Sequence, residues 1–309
     1  MDYTLFHTFA RMTVHNKFWC FLRHTYWQII TMIVVALVWG ASFLFIKKGL
    51  VTFSANDTMA IRLVLTSLFL VPVMCLYWKR LNKKHILPLV LSAILGNSLP
   101  QLLYTIAQQH IPSSLAGMLN SMMPLFALIW AITLFGEKVK TIHVVGLLVG
   151  FVGVIGLAFK DSLHFEQSYV FGFVLIIFAN VCYGIIINIV KKRLHDLDGL
   201  SIVAFTFMFL GPLAAGYMCC VDVSHYVYNP HFTMSLVSIG LMSLLGNVLA
   251  ASVFNILMKF VSTVFAAATM YIVPVFAIMW GSFDGEHIVF IQLVWTLVVL
   301  LGVYLVNRH

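Results

Sequence analysis

The residues able to do chemistry in this sequence are polar side chains set inside long apolar runs. Asn97, Gln101 and Tyr104 follow one another at steps of four and three, which puts them on one face of a helix. Asn247 and Asn255, eight residues apart, are nearly aligned in the same way. Asn180 and Tyr183 fall together in the sixth run, Trp39 and Ser42 in the first, and Asn120 just ahead of Pro124 in the fourth. Amides, hydroxyls and aromatic faces recognise a polar solute by hydrogen bonding and stacking, and they break no bonds. The competing use of the same residues is glue, because Asn and Gln also hydrogen-bond across packed helices. Covalent chemistry would need a nucleophile beside a base. The ten acidic residues are Asp2, Asp57, Glu137, Asp161, Glu166, Asp196, Asp198, Asp222, Asp284 and Glu286, and none sits at the centre of an apolar run. An intramembrane enzyme acting on a lipid-linked substrate is therefore the weaker expectation. The same lack of titratable groups at depth predicts facilitated diffusion or exchange, with weak or indirect proton coupling.

These side chains need elements that can hold them in lipid. Of 309 residues, 62% are hydrophobic and 9% charged, with a mean hydropathy of +1.02. A soluble domain carries roughly a quarter charged residues, so lipid must cover most of this surface. Ten apolar runs approach the roughly 20 residues a spanning helix needs: about 27–46, 58–78, 86–107, 114–134, 142–159, 171–190, 200–220, 234–257, 263–283 and 288–306. Helices are required, because lipid offers no partners to unpaired backbone groups. Pro72, Pro100, Pro124, Pro212 and Pro274 interrupt these runs. The Gly146, Gly150, Gly153 and Gly156 series gives the fifth run a smooth face for close packing.

The formal charge of +8 is scattered over the short gaps, so it marks orientation and not a nucleic-acid face. With both ends placed inside, fourteen of the eighteen Lys and Arg residues fall on the inner side. Lys47 and Lys48, at the first outer turn, break the rule. Arg62 lies inside the second run, one turn beyond Asp57, and is expected to pair with it or to snorkel outward; contact with a substrate carboxylate is the lesser expectation. The segment 1–26 sets Arg11, Lys17 and Arg23 among Phe6, Phe9, Phe18, Trp19 and Phe21. It reads as an interfacial helix or a disordered tail, not as a removed signal peptide. Five cysteines without framework spacing, and no metal-ligand cluster, predict no cofactor or zinc. No GxxxxGK[ST] loop is present, so no nucleotide-hydrolysing subunit is implied.

The second half repeats the first. At a shift of 150 residues, Leu95-Gly96-Asn97 meets Leu245-Gly246-Asn247, Pro124 and Phe126-Ala127 meet Pro274 and Phe276-Ala277, and Trp130 meets Trp280. Ten of the 40 positions in 95–134 are identical to those in 245–284. Gly136-Glu137 meets Gly285-Glu286 one residue out of step, and at a shift of 144 Trp39-Gly40 resembles Tyr183-Gly184. The units predicted are 27–160 and 171–309, five helices each, so the second copy enters the membrane upside down. Inverted repeats are a recurring plan of secondary transporters.

With Val38-Trp39-Gly40-Ala41-Ser42-Phe43 in the first run, Ala60-Ile61-Arg62 opening the second, Phe135-Gly136-Glu137 ending the fourth and a Gly-rich fifth, the chain resembles the EamA-type members of the drug/metabolite transporter superfamily. The resemblance covers about 28–306. It implies an all-α protein of ten transmembrane helices, a cavity between the halves, peripheral fifth and tenth helices, and export or exchange of amino acids and other small metabolites. The second copy departs from the pattern in lacking the arginine that Arg62 represents, with Thr206 near that position. On this reading Trp39, Ser42, Asn97, Gln101, Tyr104, Asn120, Asn180, Tyr183, Asn247 and Asn255 line the solute path. Arg62, Pro124 and Pro274 gate or shape it. The partners expected are a small-molecule substrate and membrane lipids, with a second copy of the chain as a further candidate. The location expected is a bacterial inner membrane.

Overall fold

The structure, a computed structural model, describes residues 22, 24–136, 140–158, 167–222, 224–257, 260 and 263–306, without the side chains of 255, 263–268, 271 and 306. The segment 1–21, Glu137, and the connection 159–166 between the two units lie outside it.

Ten helical stretches and no strand occur among the described residues. They are α1 (Thr25–Gly49), α2 (Ala55–Tyr77), α3 (Lys83–Ala107), α4 (Ser113–Thr133), α5 (Thr141–Ala158), α6 (Gln167–Arg193), α7 (Gly199–Cys220), α8 (Phe232–Leu241, continued to Leu257), α9 (Thr263–Phe283) and α10 (Phe290–Val306), with a short turn Ser224–Val227 ahead of α8. Seven of the described stretches are long and apolar enough to cross a membrane. The described apolar parts of α5, α9 and α10 are shorter. The 18 residues of α5 still rise about 27 Å, close to the thickness of a hydrocarbon core. Side chains such as Leu213 (72% exposed), Phe290 (76%) and Leu148 (62%) face outward, as lipid contact requires.

The helix contacts follow the internal repeat. α1 packs on α9 and α8, and its counterpart α6 packs on α4 and α3. The remaining large contacts join counterparts to each other: α2 with α7, α4 with α9, and α5 with α10. Glycine makes the closest of these crossings possible. A Cβ on Gly40 would lie 2.7 Å from Phe276 Cβ, and one on Gly184 would lie 2.8 Å from Phe126 Cβ. Beside these crossings Trp280 Nε1 donates to the Leu37 carbonyl and Trp130 Nε1 to the Val181 carbonyl, both at 3.2 Å. The matched Gly, Phe and Trp positions are thus one crossing built twice. The glycine face of α5 is spent on α10, with Gly153 against the Val299 backbone and Gly150 against Gly302.

Where the fourth run of each half ends, Gly136 (φ 66°) and Gly285 (φ 82°) take the left-handed conformation. This explains why the Gly-Glu pair is repeated: the turn needs a residue without a Cβ penalty. The matched prolines differ. Pro124 begins a new segment, because α4 is broken at Ser121-Met122 between Ser113–Asn120 and Met123–Thr133. Pro274 lies inside a continuous helix.

Candidate functional site

Both third helices of the repeat lose α-helical register at the same place. Residues Ala93–Ser98 in α3 and Met242–Ala250 in α8 form π-helical turns. In α3 the cause is local, since Pro100 has no N–H to give to the preceding turn. Such turns rotate side chains out of the regular helical order and often mark functional sites. Here they present Gly96-Asn97 and Gly246-Asn247 to a common cavity of about 260 Å³.

The cavity brings together eight of the ten residues singled out from the sequence: Trp39 and Ser42 from α1, Asn97, Gln101 and Tyr104 from α3, Asn120 from α4, Tyr183 from α6 and Asn247 from α8. Asn120 reaches the wall because α4 breaks directly after it, and its Oδ1 accepts from the Tyr104 hydroxyl at 3.1 Å. Trp39 Nε1 donates to the Gly246 carbonyl at 3.2 Å, which pins α1 to the π-turn of α8. Gln101 Nε2 lies 3.4 Å from Asn97 Oδ1, while Gln101 Oε1 is buried without a partner. Apolar surface comes from Phe43, Ile46, Met123, Phe207 and Met242. These apolar residues were not singled out from the sequence, where nothing separates them from the other apolar positions of their helices.

Two of the ten stand apart. Asn180 is fully buried off the wall: its Nδ2 donates to the Tyr104 hydroxyl, the Leu119 carbonyl and the Ile176 carbonyl. It ties α6 to α3 and α4 and orients Tyr104, so it is glue. Asn255 has its backbone in α8 and a side chain outside the described residues.

Arg62 corrects the sequence expectation. It neither pairs with Asp57 nor snorkels; it is 7% exposed and lines the cavity. Its Nη2 donates to Asn247 Oδ1 at 2.9 Å, Asn247 Nδ2 donates to Thr66 Oγ1 at 3.1 Å, and Arg62 Nε is buried without a partner. Asp57 is engaged elsewhere, accepting from Ser54, Tyr217 and Tyr226 hydroxyls. The reason is angular. Five residues along a helix turn a side chain about 140° away, whereas steps of three or four keep it on one face.

Ion pairs join the halves at the two ends. At one end Lys47 bonds Asp284 at 2.7 Å and Glu286 at 2.9 Å, and Lys48 also meets Asp284. Glu286 additionally accepts from Ser113 N and Ser114 N at 2.9 Å and from Ser113 Oγ at 2.8 Å, at the first turn of α4. Burial raises a carboxyl, but the hydrogen bonds from Ser114, Lys47 and Ser113 outweigh it and hold Glu286 down at about 2. Asp284 is lowered as well, burial being outweighed by Lys47 and Lys48. Lys47 and Lys48, which broke the charge rule, are therefore neutralised in place. At the other end Arg80 pairs with Asp198 and Lys84 with Asp196, and His85 Nε2 lies in hydrogen-bond contact with Asp196 at 3.0 Å. The hydrogen bonds of Lys84 and His85 hold Asp196 below the usual carboxylate range.

A family model described as the EamA-like transporter family matches the chain twice, over 26–159 and 170–308. The chain belongs to that family. Among curated relatives of this EamA-like chain, an uncharacterized transporter of Buchnera aphidicola subsp. Schlechtendalia chinensis is 24% identical over 270 residues, covering 83% of this chain and 86% of its own. The uncharacterized inner membrane transporter YedA of Escherichia coli (strain K12) is 23% identical over 281 residues, covering 88% and 87%. An uncharacterized transporter of Archaeoglobus fulgidus is 25% identical over 279 residues, covering 87% and 93%. A solved crystal structure has the same fold at a TM-score of 0.60 and 15% identity, over 91% of this chain and 96% of that one. This EamA-like protein is a multi-pass membrane protein and a transporter.

Proposed function

We propose that the protein is a secondary carrier that moves small polar metabolites of about amino-acid size by alternating access. The observation that carries this reading is one cavity walled by corresponding residues of both halves, with ion pairs bridging the halves at each end. A volume of about 260 Å³ sits at the lower edge of the ~300–1,000 Å³ typical of small-molecule sites. The two halves run in opposite senses, since five spans separate each helix from its counterpart. The grouping of gaps supports this. The α1–α2, α3–α4, α7–α8 and α9–α10 gaps meet through Lys47, Ser113, Glu286, Asp57 and Tyr226, and the α2–α3 and α6–α7 gaps meet at the other end. Charge counting puts both termini in the cytoplasm, in the inner membrane of a bacterium. Flux is export or exchange, driven by the solute gradient, because among the described residues no acid lines the cavity.

Purified protein in proteoliposomes should give saturable, counterflow-stimulated uptake that persists when the potential and pH gradient are collapsed. Turnover of a lipid-linked compound without net flux would replace this reading with that of an enzyme.

A further inference from the structure

Among the described residues, the cavity wall holds one fixed charge. Arg62 is buried, donates to Asn247 through Nη2 and leaves Nε without a partner. Among the described residues no carboxylate pairs with it, and both oxygens of Asp57, the acid nearest in sequence, are taken by hydroxyls. A guanidinium has five N–H donors in a planar fork that matches a carboxylate. Leaving such a buried cation without a counter-charge is costly, so the site is built for one that arrives with the solute.

The helix crossing does not itself require the arginine. α2 packs on α7, its own counterpart in the repeat, and α7 has Thr206, not an arginine, near the corresponding position. Architecture is thus met at this crossing with a neutral residue in one half, and the charge is an addition of the other. The same wall holds a second unmet group, Gln101 Oε1, a neutral acceptor that is also buried. An ammonium there would face no anion among the described residues, whereas a hydroxyl needs only a neutral oxygen.

We infer that the solute is a hydroxy monocarboxylate, its carboxylate held by Arg62 with Asn247 and its hydroxyl donating to Gln101. This rests on the carrier reading and narrows it from amino-acid-sized solutes in general to net anions. The aromatic faces of Trp39, Tyr104 and Tyr183 leave room for an apolar substituent.

Isosteric triads test the inference. Binding of L-lactate, L-alanine and lactamide, and of 3-phenyllactate, phenylalanine and 3-phenyllactamide, is measured on the purified full chain, Arg62→Lys and Arg62→Gln. Counterflow of each is measured in parallel. Within at least one triad the hydroxy acid should bind about tenfold tighter than the amide. Arg62→Gln should erase that ratio and Arg62→Lys should keep part of it. The ratio within one protein does not move with a general loss of folding. Amino acids binding as well as their hydroxy isosteres, an acid-to-amide ratio unchanged in Arg62→Gln, or no hydroxy acid binding at all would each overturn the inference. Counterflow confined to zwitterions or amides would sink it and leave the carrier standing. Hydroxy-acid binding with no counterflow of any solute would do the reverse.

Discussion

Replacing Glu286 with Gln should open the cavity toward the end that Lys47 and Glu286 now bridge. Glu286 is 6% exposed and receives one hydrogen bond from Lys47 and three from Ser113 and Ser114. Hydrogen bonds to a charged group are worth roughly 1.5–3 kcal/mol each when lost singly, and they do not add. Gln keeps one acceptor oxygen but turns an amide toward serine N–H donors. Lys47 is 36% exposed and keeps Asp284, so the charge loss is partly screened and partly made good. The net cost to the closed arrangement is about 2 kcal/mol, or about 30-fold in population. A conformer held at about one per cent would rise to about a quarter. The assay is maleimide labelling of Ser42→Cys on the cavity wall, in a version otherwise free of cysteine, with an impermeant reagent added from each side in turn. Labelling from the bridged side should rise by about an order of magnitude, and labelling from the opposite side should fall. Unchanged rates on both sides, or a rise on both, would refute the reasoning.

The duplicated crossing predicts that Gly40→Val and Gly184→Val cost the same, about 1–3 kcal/mol each, because each Cβ meets a Phe Cβ and backbone; a large difference in melting temperature between them counts against the equivalence. Asn180→Leu should destabilise by about 1–3 kcal/mol and weaken solute binding only through Tyr104, so Tyr104→Phe should reproduce the binding part without most of the stability loss. The pH dependence follows from the depressed carboxylates. Glu286 and Asp284 are lowered, so their stabilisation is complete above the ordinary carboxyl value of about 4.3 and is lost as pH falls through the depressed values, to about 2 for Glu286. The melting-temperature gap between the natural protein and Glu286→Gln should stay constant from pH 7 to about 5 and then shrink, and a gap that widens on acidification contradicts the sign.

Periodicity made the face of α3 readable, since Asn97, Gln101 and Tyr104 keep steps of four and three and all reach the wall. The repeated Gly-Asn, Gly-Glu and Trp positions were legible as matches, although only the structure assigns them to π-turns, left-handed turns and tryptophan-capped crossings. Arg62 was misread because proximity along the chain was taken for proximity on a helix surface. Asn180 lies behind the wall, and the sequence does not show this, because its neighbours in α3 and α4 come from distant sequence. The bridge from Lys47 to Glu286 joins residues 239 apart. Only folding brings them together, yet it explains the two lysines that the charge rule left over.

Alternating access requires a single cavity that opens to one face at a time. Two spin-label pairs read this directly, one across the end carrying the Lys47 bridge (Val51 and Phe283) and one across the end carrying the Asp196 pairs (Asn82 and His195). The account predicts two distances for each pair, with the long distance at one end coupled to the short distance at the other and the balance moved by Glu286→Gln. A single fixed distance at both ends, or both ends widening together, would contradict it.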